Sequence, residues 1–278
     1  MTTSTLALIV AGGSFGAGLL GALTGLGGGI VIVPMLTLVF GVDLRYAVGA
    51  SLVSVIATSS GAAAAYVREG FTNVRVGILL EVATTIGALI GAALSGVIPT
   101  SALAVLFGLV LLFTAYGSLR PRPDHEVLTT PDEWSRRLRL DSTYPTPLGK
   151  QAYSVRRAPA GFAMMFAAGI LSALLGIGSG IIKVLAMDQL MRLPFKVSTT
   201  TSNFMIGVTA AASAGVYLHR GYIVPSLAFP VMLGVLAGAL LGARLLGTAN
   251  TKRLRQLFTG VVIVMACEML YKGLTGSI

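Results

Sequence analysis

The sequence predicts an all-α polytopic membrane protein of two inverted-topology repeats, each of about five apolar segments, with broken or re-entrant helices at two glycine motifs. Three observations predict it. First, only 11% of residues are charged and 55% are hydrophobic, whereas a soluble domain carries about 25% charged residues. Residues 6–23 and 97–119 hold no charge at all, and uncharged runs near 18 residues suit a hydrocarbon layer about 30 Å thick. Second, the chain matches itself without a gap at an offset of 151 residues, with about twenty identities, and self-similarity at one fixed period marks a duplicated unit. Third, "GLGGG" (25–29) and "GIGSG" (176–180) occupy equivalent places in the two copies. Each glycine costs a helix interior about 1 kcal/mol relative to alanine, so these motifs interrupt the apolar runs that contain them.

The repeat fixes the organisation. Gly25, Gly27 and Gly29 fall on Gly176, Gly178 and Gly180; Ser51 falls on Ser202, Thr58 on Thr209, Tyr66 on Tyr217 and Gly70 on Gly221. Residues 1–119 form a first transmembrane repeat, 120–158 a linker and 159–278 a second transmembrane repeat. The apolar segments are placed at 5–25, 28–42, 47–67, 74–97 and 101–119, then at 159–176, 179–193, 198–218, 222–247 and 253–272. Residues 6–23 lack a basic stretch before them and exceed the usual core of a signal peptide, so they are expected to be retained as a span. The second segment of each copy is short: some fifteen helical residues reach about 22 Å, so these segments span with help or enter from one side. Gly87/Gly91 and Gly234/Gly238/Gly242 have the small-xxx-small spacing of close helix packing.

The linker changes composition abruptly, with eight basic residues, five acidic residues and prolines 121, 123, 131, 145 and 147. It reads as a solvated cytoplasmic connector, with a short surface helix at "PDEWSRRLRL" that carries Asp132 and Glu133 in its first turn. Orientation follows from basic residues, which favour the cytoplasm. With the linker inside and five crossings per copy, sixteen Lys and Arg lie inside and three outside. Four crossings per copy would leave twelve inside and seven outside. An odd number of crossings inverts the second copy and puts both termini outside. The net charge of +10 is thus assigned to loops facing anionic lipid, and no nucleic-acid partner is expected.

Inverted repeats with interrupted helices place a binding site where the interruptions meet. Free backbone N–H groups there attract anions. The candidate substrate-binding residues are Gly25, Gly27, Gly28, Gly29 and Ser51 from the first copy, and Gly176, Gly178, Ser179, Gly180, Lys183, Ser202 and Asn203 from the second. An ionisable residue inside a membrane segment is a functional candidate, and Lys183 is the sharpest, three residues past Gly180. The first copy has Ile32 at the matching place, so the site is asymmetric. Glu81, beside Thr84 and Thr85, is the candidate for proton coupling. Glu268 is expected at the outer interface. Catalysis is unsupported: the sequence offers no metal-spaced Cys/His cluster and no Ser-His-Asp set, the single Cys267 reads as a small buried apolar residue, and no cofactor is expected.

"GALTGLGGGIVIVPML", "LSALLGIGSGIIKVLAM", "TSNFMIGVTAAASAGVY" and "RLRQLFTGVVIVMACEML" resemble the TauE/SafE (TSUP) sulfite exporter family of membrane transporters. The resemblance covers both copies and leaves the linker out. It implies a carrier of small sulfur-containing anions, such as sulfite, sulfoacetate or thiosulfate, in a prokaryotic plasma (inner) membrane. Two departures from the family pattern stand out: Ser179 replaces a third glycine, and Leu185 and Ala186 stand near where a proline is expected, which the first copy keeps as Pro34. The expected function is a secondary transporter of a small sulfur-containing oxyanion, directed to export and working by alternating access. An uncoupled anion channel and a non-transporting membrane scaffold or sensor are the alternatives. The expected partners are the small anionic substrate and the lipid bilayer, with a homo-oligomer left open.

Overall fold

A computed structural model describes residues 3–24, 29–68, 70–119, 132–146, 149–178, 180–245 and 251–277. The first copy holds α1 (Thr3–Thr24), α2 (Gly29–Pro34), α3 (Leu44–Arg68), α4 (Val74–Leu94) and α5 (Thr100–Leu119). The linker holds α6 (Glu133–Leu138) and a hairpin of β1 (Ser142–Thr146) and β2 (Gly149–Tyr153). The second copy holds α7 (Ala158–Leu175), α8 (Gly180–Leu185), α9 (Phe195–His219), α10 (Pro225–Leu245) and α11 (Thr251–Thr275). Among the described residues, five helices are long and apolar enough to cross a membrane: Val74–Leu94, Thr100–Ser118, Ala158–Leu175, Pro225–Gly242 and Gln256–Thr275. The protein is a helical, multi-pass membrane protein.

Local chemistry explains the helix ends. The Asn73 side chain accepts from the Val76 N–H at 3.1 Å and caps α4, satisfying a donor that the first turn leaves free. Gly176 closes α7 at φ 65°, in the left-handed region where glycine carries no Cβ penalty. Gly70 and Gly221, paired by the repeat, both adopt φ 75° in the turns after α3 and α9.

Helices α2 and α8 each run on into one π-helical turn, Met35–Val39 and Ala186–Leu190. Each broken helix with its π turn is eleven residues long, about 16 Å and roughly half the hydrocarbon thickness. They are shorter than the sequence suggested chiefly at their C-terminal ends, where the π turns stop at Val39 and Leu190, three residues before the expected ends at 42 and 193. The π turn forms after Pro34 in the first copy and after Leu185 in the second, so it does not depend on the proline.

The copies contact each other reciprocally: α1 packs on α10, and α4 on α7. A Cβ on Gly87 would lie 2.2 Å from the Phe166 carbonyl oxygen, and one on the equivalent Gly238 would lie 2.1 Å from that of Phe15. A Cβ on Gly169 would come 2.1 Å from the Thr84 carbonyl oxygen, and one on the equivalent Gly18 would come 2.3 Å from that of Val235. These are backbone-to-backbone contacts that no rotamer change relieves. The duplicated helices α5 and α11 also pack on each other. Gly273 adjoins Ser101 and Val105, Gly108 adjoins Ala266 and Leu270, and Thr259 bonds Ser118, so these two equivalents run antiparallel. The other duplicated pair, α3 and α9, forms the centre and carries the hydroxyl-rich segments.

Two polar rims mark the ends of α4. At its C-terminal end, Arg45 donates to the carbonyls of Ser95 and Ile98, and Arg220 to those of Ala92 and Ala93. At its N-terminal end, Arg75 donates to the Arg139 carbonyl of the linker. A cation–ring contact closes each end: the Arg45 guanidinium lies 5.8 Å from the Tyr222 ring and the Lys196 ammonium 3.8 Å from the Phe71 ring. The repeat pairs Arg45 with Lys196 and Phe71 with Tyr222.

The described part of the linker is docked, which corrects the reading of a freely solvated connector, and its hairpin is a strand element that the all-α reading lacked. Leu140, Tyr153 and Val155 are buried with Val76, Leu80, Met165, Met187 and Val197. Asn73 donates from Nδ2 to the Leu140 carbonyl at 2.9 Å and to the Tyr153 hydroxyl at 2.8 Å, and the Arg156 N–H donates to the Met191 carbonyl. The short helix α6 forms as expected, although Asp132 precedes it as the cap, accepting from the Ser135 N–H.

Candidate functional site

The glycine motifs approach each other at the centre. Gly25, Gly27, Gly28 and Ser179 lie outside the described residues, so the geometry rests on Gly29, Gly176, Gly178 and Gly180. Gly29 opens α2 beside the second motif: a Cβ there would lie 3.3 Å from the Gly176 carbonyl oxygen, 3.2 Å from Ser51 Oγ and 3.0 Å from a methyl of Val55. Gly176 and Gly178 adopt φ 65° and 69°, turning the chain tightly between α7 and α8. Backbone conformation and close approach thus both call for glycine here.

The paired serines bind the motifs to the central helices. Ser51 on α3 donates to the Gly176 carbonyl at 2.7 Å, across the two copies. Ser202 on α9 donates to the Gly180 carbonyl at 3.3 Å, within its own copy. Both side chains are buried, and both hydroxyl protons hold the broken backbone in place. Asn203 is half-buried one residue further along α9.

Lys183 is fully buried, which rules out a lysine that reaches for the interface. Its Nζ donates to the Thr209 hydroxyl at 2.6 Å. Thr209 Oγ1 lies 2.7 Å from Glu81 Oε1 and donates to it, and Thr85 donates to the same oxygen at 3.3 Å. The other carboxylate oxygen, Oε2, lies 4.0 Å from Lys183 Nζ and has no hydrogen-bond partner among the described residues. Two residues that the sequence suggested for separate tasks therefore belong to one chain of contacts, Lys183–Thr209–Glu81, drawn from α8, α9 and α4.

Sequence reasoning missed this pairing. The signal was present: buried charges of opposite sign must meet, because an isolated one costs several kcal/mol. What it lacked was the packing of α4 on α9, which brings Glu81 to Thr209 across 128 residues. The duplication gives no help here, because the equivalents of Lys183, Thr209 and Glu81 are Ile32, Thr58 and Met232. Among the described residues no group of three or more His, Cys, Asp or Glu is placed to hold a metal.

A helical multi-pass fold with an ammonium and a carboxylate buried inside it defines a polytopic membrane protein. The chain belongs to the sulfite exporter TauE/SafE family, whose profile matches residues 10–269. Curated relatives agree. A protein named probable membrane transporter protein YunE from Bacillus subtilis is 28% identical over 265 residues, covering 93% of this chain and 95% of its own. Probable membrane transporter protein YdhB of the same organism is 25% identical, covering 79% and 82%. A probable membrane transporter protein of Xylella fastidiosa is 25% identical, covering 98% and 97%. No solved structure matches the chain.

Proposed function

We propose that this protein is a secondary transporter of a small sulfur-containing oxyanion, such as sulfite, thiosulfate or an organosulfonate like sulfoacetate, that exports it by alternating access. The observation that carries the reading is a fully buried ammonium, Lys183, three residues past Gly180, where α8 begins at the second glycine motif. An oxyanion would take donors from Lys183, from the backbone of Gly25, Gly27, Gly28, Gly29, Gly176, Gly178, Ser179 and Gly180, from Asn203 and, once they release the Gly176 and Gly180 carbonyls, from the hydroxyls of Ser51 and Ser202. Glu81 is the coupling group for protons.

The domains are a first repeat over 1–119, a cytoplasmic linker over 120–158 and a second repeat over 159–278. The repeats are inverted, and the glycine motifs are re-entrant breaks near the midplane. The antiparallel contact of the duplicated helices α5 and α11 supports the inversion. Arg75, Arg139 and Arg156 gather with the linker at one end of α4, against Arg45 and Arg220 at the other. That asymmetry supports a cytoplasmic linker and outward termini in an inner membrane.

Flux of labelled sulfite, thiosulfate and sulfoacetate in liposomes containing the purified protein tests the reading. A saturable flux of at least one is expected; no flux of any sulfur oxyanion rejects the substrate class. Flux that ignores imposed pH and Na⁺ gradients would assign an uncoupled channel.

A further inference from the structure

We infer that Thr209 is the switch that transfers Lys183 between Glu81 and the transported anion, so that each bound anion is accompanied by one proton taken up at Glu81. The inference rests on the anion-carrier reading and deepens it, since it names how the charge of the cargo is compensated.

The argument starts from charge. With no anion present, the Lys183 ammonium and the Glu81 carboxylate offset each other through the Thr209 hydroxyl, at 2.6 Å and 2.7 Å. Lys183 is fully enclosed, so an anion drawn to its ammonium adds net negative charge to a buried region. A carboxylate left unpaired there is strongly unfavourable. The carboxylate therefore takes a proton and becomes neutral.

The proton rearrangement itself needs only the rotation of one hydroxyl. Glu81 Oε2 lies 4.0 Å from Lys183 Nζ and has no hydrogen-bond partner among the described residues, so it is the oxygen open to a proton. Once that oxygen is protonated, Thr209 has a second acceptor for its own proton in the Met205 carbonyl at 3.1 Å. One proton enters at Glu81 Oε2, the Thr209 Oγ1–H rotates from Glu81 to Met205, and the Lys183 ammonium keeps its three protons and turns toward the anion.

Of the other charged groups on the packed elements, Asp188 is nearest Lys183 in sequence, five residues on. Helix α7 has no ionisable residue within Ala158–Leu175. On α9, Lys196 and His219 are thirteen and ten residues from Thr209, about 20 and 15 Å along the helix. Asp188 lies on the π turn after α8 and is buried, and Arg75 is at the start of α4, bonded to the linker. The device exists on one side only, because the equivalent positions are Ile32, Thr58 and Met232.

The test counts protons. Thiosulfate and the monovalent sulfonate isethionate, both fully ionised near neutral pH, are titrated into the purified full-length protein in weakly buffered detergent solution. Binding is read by calorimetry and proton uptake by an indicator dye. Uptake of about one proton per bound anion is expected for either probe, because one carboxylate is available. Glu81→Gln should bind with no proton uptake, Thr209→Ser should retain uptake, and Thr209→Val should lose at least half of it. Binding by the unaltered protein without proton uptake overturns the switch and leaves the carrier reading intact, as does full uptake by Glu81→Gln. If neither probe binds and no sulfur oxyanion moves in liposomes, the carrier reading fails and takes the switch with it. Comparing Thr209→Ser with Thr209→Val separates the hydroxyl's role from any effect on folding.

Discussion

Replacing Gly169 by alanine should separate α4 from α7. The added Cβ would lie 2.1 Å from the Thr84 carbonyl oxygen and 2.9 Å from its carbon and Cα. A comfortable carbon–oxygen approach is about 3.3 Å, so the helices must move apart by about 1 Å along this contact. Both partners are backbone, so no side chain can rotate away. Overpacking of this kind costs about 1–3 kcal/mol, and the upper part of that range is expected here. At about 2–4 °C per kcal/mol for a chain of this size, the apparent melting temperature in detergent should fall by roughly 4–12 °C. Gly16→Ala is the matched control, since nothing lies within 4 Å of its Cβ position. Alanine's helix preference, about 1 kcal/mol, should leave that variant neutral or slightly more stable. The assay is thermal unfolding monitored by the monodisperse fraction on size exclusion. The equivalent Gly18→Ala, with a 2.3 Å contact to Val235, should behave like Gly169→Ala. Equal stability of Gly169→Ala and Gly16→Ala would refute the backbone contact and the reciprocal packing inferred from it.

Three further outcomes are expected. Lys183→Met should weaken anion binding at least several-fold by calorimetry, and unchanged affinity would remove Lys183 from the site. Burial pushes the Tyr153 phenol up to about 12, above its ordinary value near 10, so its contribution to linker docking is complete below about pH 10 and is lost as pH rises through 12; proteolysis of the linker against pH should stay flat to about pH 10 and then rise, and a rise at neutral pH would contradict the burial. Cysteines placed at Arg136 and Arg253 should react with an impermeant reagent from the same side of the bilayer; opposite sides would end the inverted arrangement.

Much of the architecture was legible because membrane helices announce themselves locally. Apolar runs, their length and the offset copy located the long helices within a few residues, and the small-xxx-small glycines marked the α1–α10 and α4–α7 contacts without naming the partners. The linker was misread because its polar composition concealed three apolar residues, Leu140, Tyr153 and Val155, that dock it against α4 and the turn after α8. Composition averages over such residues, and docking depends on where few of them point.

The site divides the same way. The sequence by itself determined that glycine breaks, paired serines and intramembrane charges, Lys183 and Glu81 among them, exist, since each is a matter of residue type and hydropathy. Only the tertiary structure decided that Lys183 and Glu81 share Thr209, that Ser51 reaches across to Gly176 and that the two motifs meet at Gly29. Those facts depend on which helices become neighbours. That is set by packing across more than a hundred residues of chain, and the duplication could not reveal it, because Ile32 and Met232 broke the symmetry where the charges lie.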